Sequence, residues 1–254
     1  MEKTSSNIVE KDTEVVLSIH DLYKSFGDQK ILNGVSMELR NGENLVLMGK
    51  SGAGKSVLIK CLVGLMDPDR GSVEILGRNI LNLKREELDE LRTDIGFLFQ
   101  GSALYDSMTV RENLEFPLRR HTSKFDLKDT DALVKEALEN VGLASAIDLM
   151  PAELSGGMQR RIALARALIL KPKIILYDEP TTGLDPITAK EIVHLMMSVQ
   201  EKYKTSSLII THDVDCARVI SNRMILLLDG INYAEGTFQE LLTSEDPKIK
   251  AFFK

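Results

Sequence analysis

The chain has 254 residues, 43% of them hydrophobic and 28% charged, a mixture typical of globular domains and not of disordered chains. Its longest run without a charged residue, Ile95–Tyr105, is too short for a membrane-spanning helix, which needs about 20 apolar residues. The net charge of −6 argues against nucleic-acid partners, which require a basic surface. Cys61 and Cys216 are the only cysteines of the sequence, so we expect reduced thiols and no sulfur-ligated metal.

In chain order, the pattern begins with a polar segment and then alternates between strands and helices. We expect residues 1–14 to form a flexible N-terminus without a secretory signal, and residues 15–254 to form one domain. The early apolar runs alternate with polar residues, as in an antiparallel sheet, and the later runs are continuous, as in buried parallel strands. These runs predict strands at Val15–Ile19, Val35–Leu39, Leu45–Met48, Val73–Leu76, Ile95–Phe99, Ile174–Tyr177, Leu208–Ile210 and Met224–Leu228.

Helical periodicity appears between the strands. Ile192, Leu195, Met196 and Val199 form one apolar stripe of an amphipathic helix. The alternation of strands with helices predicts an α/β core with a mainly parallel sheet. Over about 101–168, helix signals run without strand signals, which predicts a helical subdomain inserted in the core.

A glycine-rich segment follows the predicted strand Leu45–Met48 and precedes a helical run. It fits G-x-x-x-x-G-K-[ST], the pattern that wraps backbone N–H groups around a polyphosphate at a helix N-terminus. We expect Lys55 to reach the β- and γ-phosphates and Ser56 to bind Mg²⁺. The alternative is a structural turn. The candidate nucleotide-binding residues are Gly49, Lys50, Ser51, Gly52, Ala53, Gly54, Lys55, Ser56 and Val57.

Two acids end the apolar run Ile174–Tyr177. Ligands of α/β sheets bind at the carboxyl ends of the strands, which allows a catalytic role. Taken alone, such a run is more often a solvated strand end, but Asp178 lies 123 residues after Lys55, a spacing that fits one nucleotide domain with an insertion. Asp178 suits the Mg²⁺ shell, and Glu179 is placed to orient a water for attack on the γ-phosphate.

The segment Leu154–Gln159 predicts a second helix N-terminus, with Ser155 as its cap and two glycines after it. One nucleotide does not need two separate phosphate-binding helix starts, so we expect each to serve a different nucleotide, shared across a dimer. An ordinary capped helix is the alternative. The candidate residues are Ser155, Gly156, Gly157, Met158 and Gln159.

With these motifs, the chain from about Val15 to about Leu242 resembles an ATP-binding cassette (ABC) nucleotide-binding subunit. The resemblance implies a P-loop NTPase (RecA-like) core, an N-terminal antiparallel β-subdomain and an inserted α-helical subdomain. It implies that Leu154–Gln159 contacts the γ-phosphate held by the opposite subunit. Two copies would enclose two ATP molecules with Mg²⁺.

The same resemblance implies roles for weaker elements. Gln100 falls at the glutamine near Mg²⁺ and the attacking water, and His212 at the histidine that touches the γ-phosphate. Asp185, in Gly183-Leu184-Asp185-Pro186, matches the loop that communicates between subunits, although a helix start before proline is the plainer interpretation. Phe26 falls at the aromatic residue that stacks on adenine, with Tyr23 as a competitor.

The segment Gly101–Val110, together with Met150–Leu154, resembles the Mla/Mce-type ATPases of bacterial phospholipid transport. This implies an integral membrane permease and an MCE-domain substrate-binding protein as partners. It also implies a peripheral location at the cytoplasmic face of the inner membrane. The alternatives are an ABC ATPase for another small molecule, such as an amino acid, a metal or a drug, and a soluble ABC ATPase acting on ribosomes or DNA.

Overall fold

Two kinds of strand, distinguished by their burial, build two separate sheets. The computed structural model describes residues 14–121 and 129–253. Within these ranges the strands are β1 (Val15–Phe26), β2 (Gln29–Arg40), β3 (Asn44–Gly49), β4 (Arg70–Ile75), β5 (Arg78–Asn79), β6 (Ile95–Leu98), β7 (Ile174–Asp178), β8 (Ser206–Thr211), β9 (Arg223–Leu228) and β10 (Ile231–Gly236).

Helices connect most of the strands of the second half of the chain. Short 3₁₀ turns also occur at Ile80–Asn82, Ala144–Ala146 and Pro151–Glu153. The α-helices of the described residues are α1 (Lys55–Leu62), α2 (Arg85–Arg92), α3 (Val110–Arg120), α4 (Thr130–Asn140), α5 (Gly156–Leu168), α6 (Pro186–Tyr203), α7 (Val214–Ile220), α8 (Phe238–Leu242) and α9 (Pro247–Lys250).

The N-terminal sheet is antiparallel, with the order β2-β1-β4-β5. β2 alternates buried and exposed residues, because one face packs on the core and the other meets solvent. β1, between β2 and β4, instead has four consecutive buried residues near its start. The expected antiparallel β-subdomain is confirmed.

The second sheet has the order β10-β9-β3-β8-β7-β6 among the described residues. All of its neighbouring pairs are parallel except β10 with β9. Every residue of β3 and β8 is buried, which agrees with the continuous apolar runs and with helices on both faces. The mainly parallel α/β core is confirmed.

Between β6 and β7 the described chain is helical, and α3, α4 and α5 enclose a hydrophobic cluster of their own. This is the inserted α-helical part of the predicted fold. The polar segment 1–13 and residues 122–128 lie outside the described residues. In the part of the chain that the structure describes, no helix has both the length and the apolarity needed to cross a membrane.

Some strands differ from their predicted bounds. β1 continues seven residues beyond Ile19, because pairing with β2 resumes after an irregularity at Asp21, whose φ is +47°. β5 and β10 were not predicted. β10 is a half-exposed edge strand without an apolar run. It is recognised by its pairing with β9 and not by its side-chain pattern.

Tyr177 gives a prediction about stability. Its ring is buried in a hydrophobic cluster on one side of the sheet, and its hydroxyl has no hydrogen-bond partner among the described residues. Tyr177→Phe is therefore expected to raise the free energy of unfolding by about 1 kcal/mol, measured by urea denaturation, since it removes a buried unsatisfied group. Tyr203→Phe is the control. The Tyr203 hydroxyl bonds the Asn140 amide, so this change should lower the free energy instead. A lower free energy of unfolding in Tyr177→Phe than in the wild type would contradict the prediction.

Candidate nucleotide site

A cavity of about 440 Å³ lies at the carboxyl edge of the parallel sheet. It collects residues from the loops that follow β3, β6, β7 and β8, and adds two residues of β2. The sequence predicted most of these residues separately, and the fold brings them together. The lining residues are Gln29, Ile31, Ser51, Gly52, Gly54, Lys55, Ser56, Val57, Gln100, Asp178, Glu179 and His212.

The glycine-rich loop has the backbone geometry expected of a phosphate-binding loop. Gly52 and Gly54 have φ values of +82° and +98°, which side-chain-bearing residues rarely adopt. A Cβ on Gly54 would also lie 2.9 Å from the Ile31 carbonyl oxygen. α1 begins after Gly54 without a side-chain cap, so N–H groups of its first turn remain available. An uncapped helix start beside a cavity fits a phosphate group.

Lys55 is a buried cation at this helix start. Its ammonium donates to the carbonyl oxygens of Gly49 (2.6 Å) and Lys50 (3.2 Å). The same Nζ lies 3.7 Å from Glu179 Oε1, and about a tenth of each side chain is exposed. The cation is thus held at the cavity wall, where it can interact with an anion. Gly49, Lys50 and Ala53 shape the loop without lining the cavity.

Glu179 connects the loops that follow β7 and β8. It is 8% exposed, and its φ of +51° is a left-handed conformation that costs free energy in a non-glycine residue. Its N–H donates to the Ile210 carbonyl (2.8 Å). Its Oε2 lies 2.8 Å from His212 Nδ1 and accepts from the Thr182 hydroxyl (3.2 Å). These contacts fix the carboxylate at the cavity, a geometry suited to orienting a water.

Asp178 and Ser56 supply oxygen atoms to the cavity wall. Burial raises the pKa of the Asp178 carboxyl, the charge of Glu179 raises it further, and Lys55 opposes the rise. A carboxylate and a hydroxyl offer the oxygen ligands that Mg²⁺ prefers. The residues present therefore fit this metal.

Gln100 follows β6 and reaches the cavity from the helical side. Its loop is attached to α5 by two arginines. Arg160 Nη1 donates to the Phe99 carbonyl (2.7 Å), and Arg166 Nη2 donates to the carbonyls of Ser102 (3.2 Å) and Ala103 (2.8 Å). The position of Gln100 thus depends on α5.

The two aromatic candidates for adenine stacking differ in their surroundings. The Arg70 guanidinium lies over the Tyr23 ring at 4.2 Å, so this ring face is already covered. Phe26 is 48% exposed at the end of β1, outside the lining of the cavity. The Lys24 ammonium lies over the Phe26 ring at the longer distance of 5.9 Å. Of the two rings, Phe26 is therefore the less closely covered.

The predicted second helix start does not line this cavity. Ser155 caps α5 by accepting from the Met158 N–H (3.2 Å). A Cβ on Gly157 would lie 2.6 Å from Thr188 Cγ2, so a larger residue would displace this side chain at the start of α6. Met158 packs on the helical core, and the Gln159 amide donates to the Pro151 carbonyl (2.9 Å). Ser155 and Gly156 remain exposed.

Asp185 also lies apart from the cavity, beside this second helix start. It caps α6 by accepting from the N–H groups of Ile187 and Thr188, both at 3.0 Å. Within the chain, the contacts of Asp185 are those of a helix-capping residue before a proline, which was the plainer of the two predictions. Because Leu184 lies 3.9 Å from a Cβ built on Gly156, the two exposed segments are neighbours.

The motifs did not predict several residues that line the cavity or contact its lining residues. Gln29 and Ile31 belong to the antiparallel sheet, and no phosphate-binding pattern includes them. Thr182 bonds Glu179, and Thr181 Oγ1 donates to Asp213 Oδ2 (2.9 Å). The polar pair Thr181-Thr182, which follows Glu179 after a single proline, was a usable signal for the threonines.

Comparisons with known proteins show the family to which the chain belongs. The family model described as ABC transporter matches residues 32–182. The chain is 42% identical to the probable ribonucleotide transport ATP-binding protein mkl of Mycobacterium leprae, over 94% of this chain and 68% of the relative. It is 37% identical to the methionine import ATP-binding protein MetN of Clostridium tetani (94% and 80%). It is 38% identical to the intermembrane phospholipid transport system ATP-binding protein MlaF of Haemophilus influenzae (94% and 90%).

A solved structure is similar over most of the chain. It is the dimeric post-hydrolysis state of the ATP-binding cassette MJ0796 bound to ADP and Pi, with a TM-score of 0.79 and 32% identity, covering 87% of this chain and 98% of that one. The chain therefore belongs to the ABC transporter family, as an ATP-binding subunit with ATPase activity. It spans about two thirds of the length of the mycobacterial relatives it matches.

The raised pKa of Asp178 gives a pH-dependent prediction. The folded chain binds this proton more tightly than the unfolded chain, so ionisation costs stability as the pH rises from the ordinary value of 3.8 through the raised value. Asp178→Asn should therefore raise the free energy of unfolding above the raised pKa, and the gain should vanish as the pH falls toward 3.8. Urea unfolding between about pH 4 and pH 7 measures it. Asp28→Asn, in the exposed β1–β2 turn, is the control. If the gain in the free energy of unfolding did not change with pH, the raised pKa of Asp178 would be contradicted.

Proposed function

We propose that two copies of this chain enclose two ATP molecules with Mg²⁺ and that their closure drives a membrane permease. The observation that carries the proposal is the separation of two helix starts in one chain. Lys55 lies in the cavity with Glu179 and His212, whereas Ser155 lies exposed elsewhere. A second copy can bring its exposed Ser155 segment to the cavity of the first. The dimer of the MJ0796 cassette supports this arrangement.

In this proposal each cavity residue has a role in phosphoryl transfer to water. Lys55 and the N–H groups of the glycine-rich loop bind the phosphates, and Val57 follows them in the first turn of α1. Glu179 orients the attacking water, and His212 holds Glu179 and approaches the γ-phosphate. Ser56, Asp178 and Gln100 are the residues that would hold Mg²⁺, which neutralises phosphate charge when bound.

The remaining candidates act at the edges of the site. Phe26 would stack on adenine, because its ring is exposed. In the partner copy, Ser155, Gly156 and Gly157 would present hydroxyl and N–H groups to the γ-phosphate, and Asp185 would lie beside them. Met158 and Gln159 would support that segment through their contacts with their own subunit.

Glu179→Gln tests the hydrolytic part of the proposal. We expect the ATPase rate to fall by about 100-fold or more, since the amide cannot act as a base, whereas ATP should still bind and promote dimers. A phosphate-release assay and size-exclusion chromatography with ATP measure the two effects. Glu201→Gln, on the exposed side of α6, is the matched control. Unchanged hydrolysis in Glu179→Gln would remove Glu179 from this role.

We further propose that the transporter moves phospholipids, with an MCE-domain protein as partner and with the chain at the cytoplasmic face of the bacterial inner membrane. The resemblance of Gly101–Val110 to Mla/Mce-type ATPases supports this, as does the match to MlaF over 90% of its length. The matches to MetN and to mkl, whose names specify other cargoes, keep transport of another small molecule as the second candidate.

The cargo proposal is tested by purifying the tagged chain from its own cells with its membrane partners. We expect a permease and an MCE-domain protein to copurify, and phospholipid vesicles to stimulate ATP hydrolysis by the complex several-fold. Methionine and ribonucleotides, added to the same complex in a lipid-free detergent, serve as the matched comparison. Stimulation by one of these and not by phospholipid would contradict the cargo and favour the second candidate.

A further inference from the structure

Arg160 is a buried cation without an acidic partner in the described parts of the chain. It is 5% exposed, and its Nε has no hydrogen-bond partner among the described residues. Burial lowers the pKa of its guanidinium, and no neighbouring carboxylate opposes this effect in those residues. A buried, unpaired charge destabilises a fold, so an apolar residue would serve better if packing were its only task.

The two groups that Arg160 does bond are backbone carbonyls of different loops. Its Nη1 donates to Phe99 (2.7 Å), and its Nη2 donates to Thr182 (3.3 Å). Phe99 directly precedes Gln100, and the Thr182 hydroxyl donates to Glu179 Oε2 (3.2 Å). One planar guanidinium therefore spans the supports of two residues of the proposed mechanism: Gln100, which would hold Mg²⁺, and Glu179, which orients the attacking water.

The helix that carries Arg160 also carries the exposed segment proposed to meet the partner's nucleotide. α5 begins at Gly156, capped by Ser155, and Arg160 lies about one turn further along. A shift of this helix start by a bound phosphate displaces Arg160 with it, because an α-helix moves as a rigid element.

We propose that Arg160 is a positioning residue that couples the Ser155–Gly157 helix start to Gln100 and Glu179 of the same subunit. The proposal rests on the shared nucleotide sites of the proposed function. In this view, engagement of the partner's nucleotide aligns the chain's own cavity through a side chain that touches neither nucleotide. Each site then becomes competent when the other is occupied.

The main variants are Arg160→Met, which removes both hydrogen bonds, and Arg160→Lys, which keeps the charge and can reach one carbonyl. Arg161→Met is the matched control on the same helix. Arg161 bonds Glu191 (2.7 Å) and the Val141 carbonyl (3.4 Å), and it does not line the cavity. Thermal unfolding of all three variants reports any loss of fold.

Arg160→Met is expected to lower kcat for ATP about 10-fold to 100-fold, with the KM for ATP changed less than about threefold, because misplaced groups slow the reaction more than they weaken binding. The kcat of Arg160→Lys should lie between those of the wild type and of Arg160→Met. Arg161→Met should keep the wild-type kcat. If Arg160→Met does not fold, Arg160→Lys is measured in its place.

A double-mutant cycle with Gln100→Ala separates positioning from a general structural effect. If Arg160 acts through Gln100, the double variant should lose little more kcat than the more damaging single variant. Multiplication of the two losses, an equal rise in KM, or an unchanged kcat in Arg160→Met would each overturn the proposal. Glu179→Gln in the same assay tests the proposed function itself, so the two failures are distinguishable.

Discussion

Parallel strand pairing at the centre of the second sheet is the constraint on which the site depends. β7 pairs with β8 in the register Asp178↔Ile210, and β3 pairs with β8 in the register Met48↔Thr211. Parallel strands end at a common edge, so the loops after them meet there. The Glu179 N–H bonds the Ile210 carbonyl, which places Glu179 beside His212. A shift of this register would separate the carboxylate from both His212 and Lys55.

The buried charges of the cavity show how function and stability oppose each other. Lys55, Asp178 and Glu179 share a partly buried space in which the pKa of Asp178 is raised, and Glu179 adopts a left-handed backbone conformation. Neither feature favours the folded state by itself. The fully buried strands around them, β3 and β8, supply the apolar burial that offsets these costs.

The sequence was informative where chemistry and backbone geometry coincide in one local segment. The glycine-rich loop before Lys55 and the acids after Tyr177 each combine a strand, a turn and a functional side chain within a few residues. Contacts between distant segments were not predictable in this way. Ile31 reaches the cavity because its carbonyl packs against Gly54, and Arg160 bonds residues 61 and 22 positions away along the chain. Such contacts depend on the relative position of the sheets and helices, which local pattern does not specify.

The contacts of α5 connect its exposed start to the cavity of the same chain. Its start is exposed and uses small residues, because Gly157 fits tightly against Thr188. Further along, Arg160 and Arg166 bond main-chain carbonyls of the loop that contains Gln100, where Ser102 and Ala103 have left-handed φ values. A loop strained in this way needs external support to keep its shape. Because that support comes from α5, the conformation around Gln100 depends on where the helix lies, and a movement at the helix start changes the cavity without any change in its own residues.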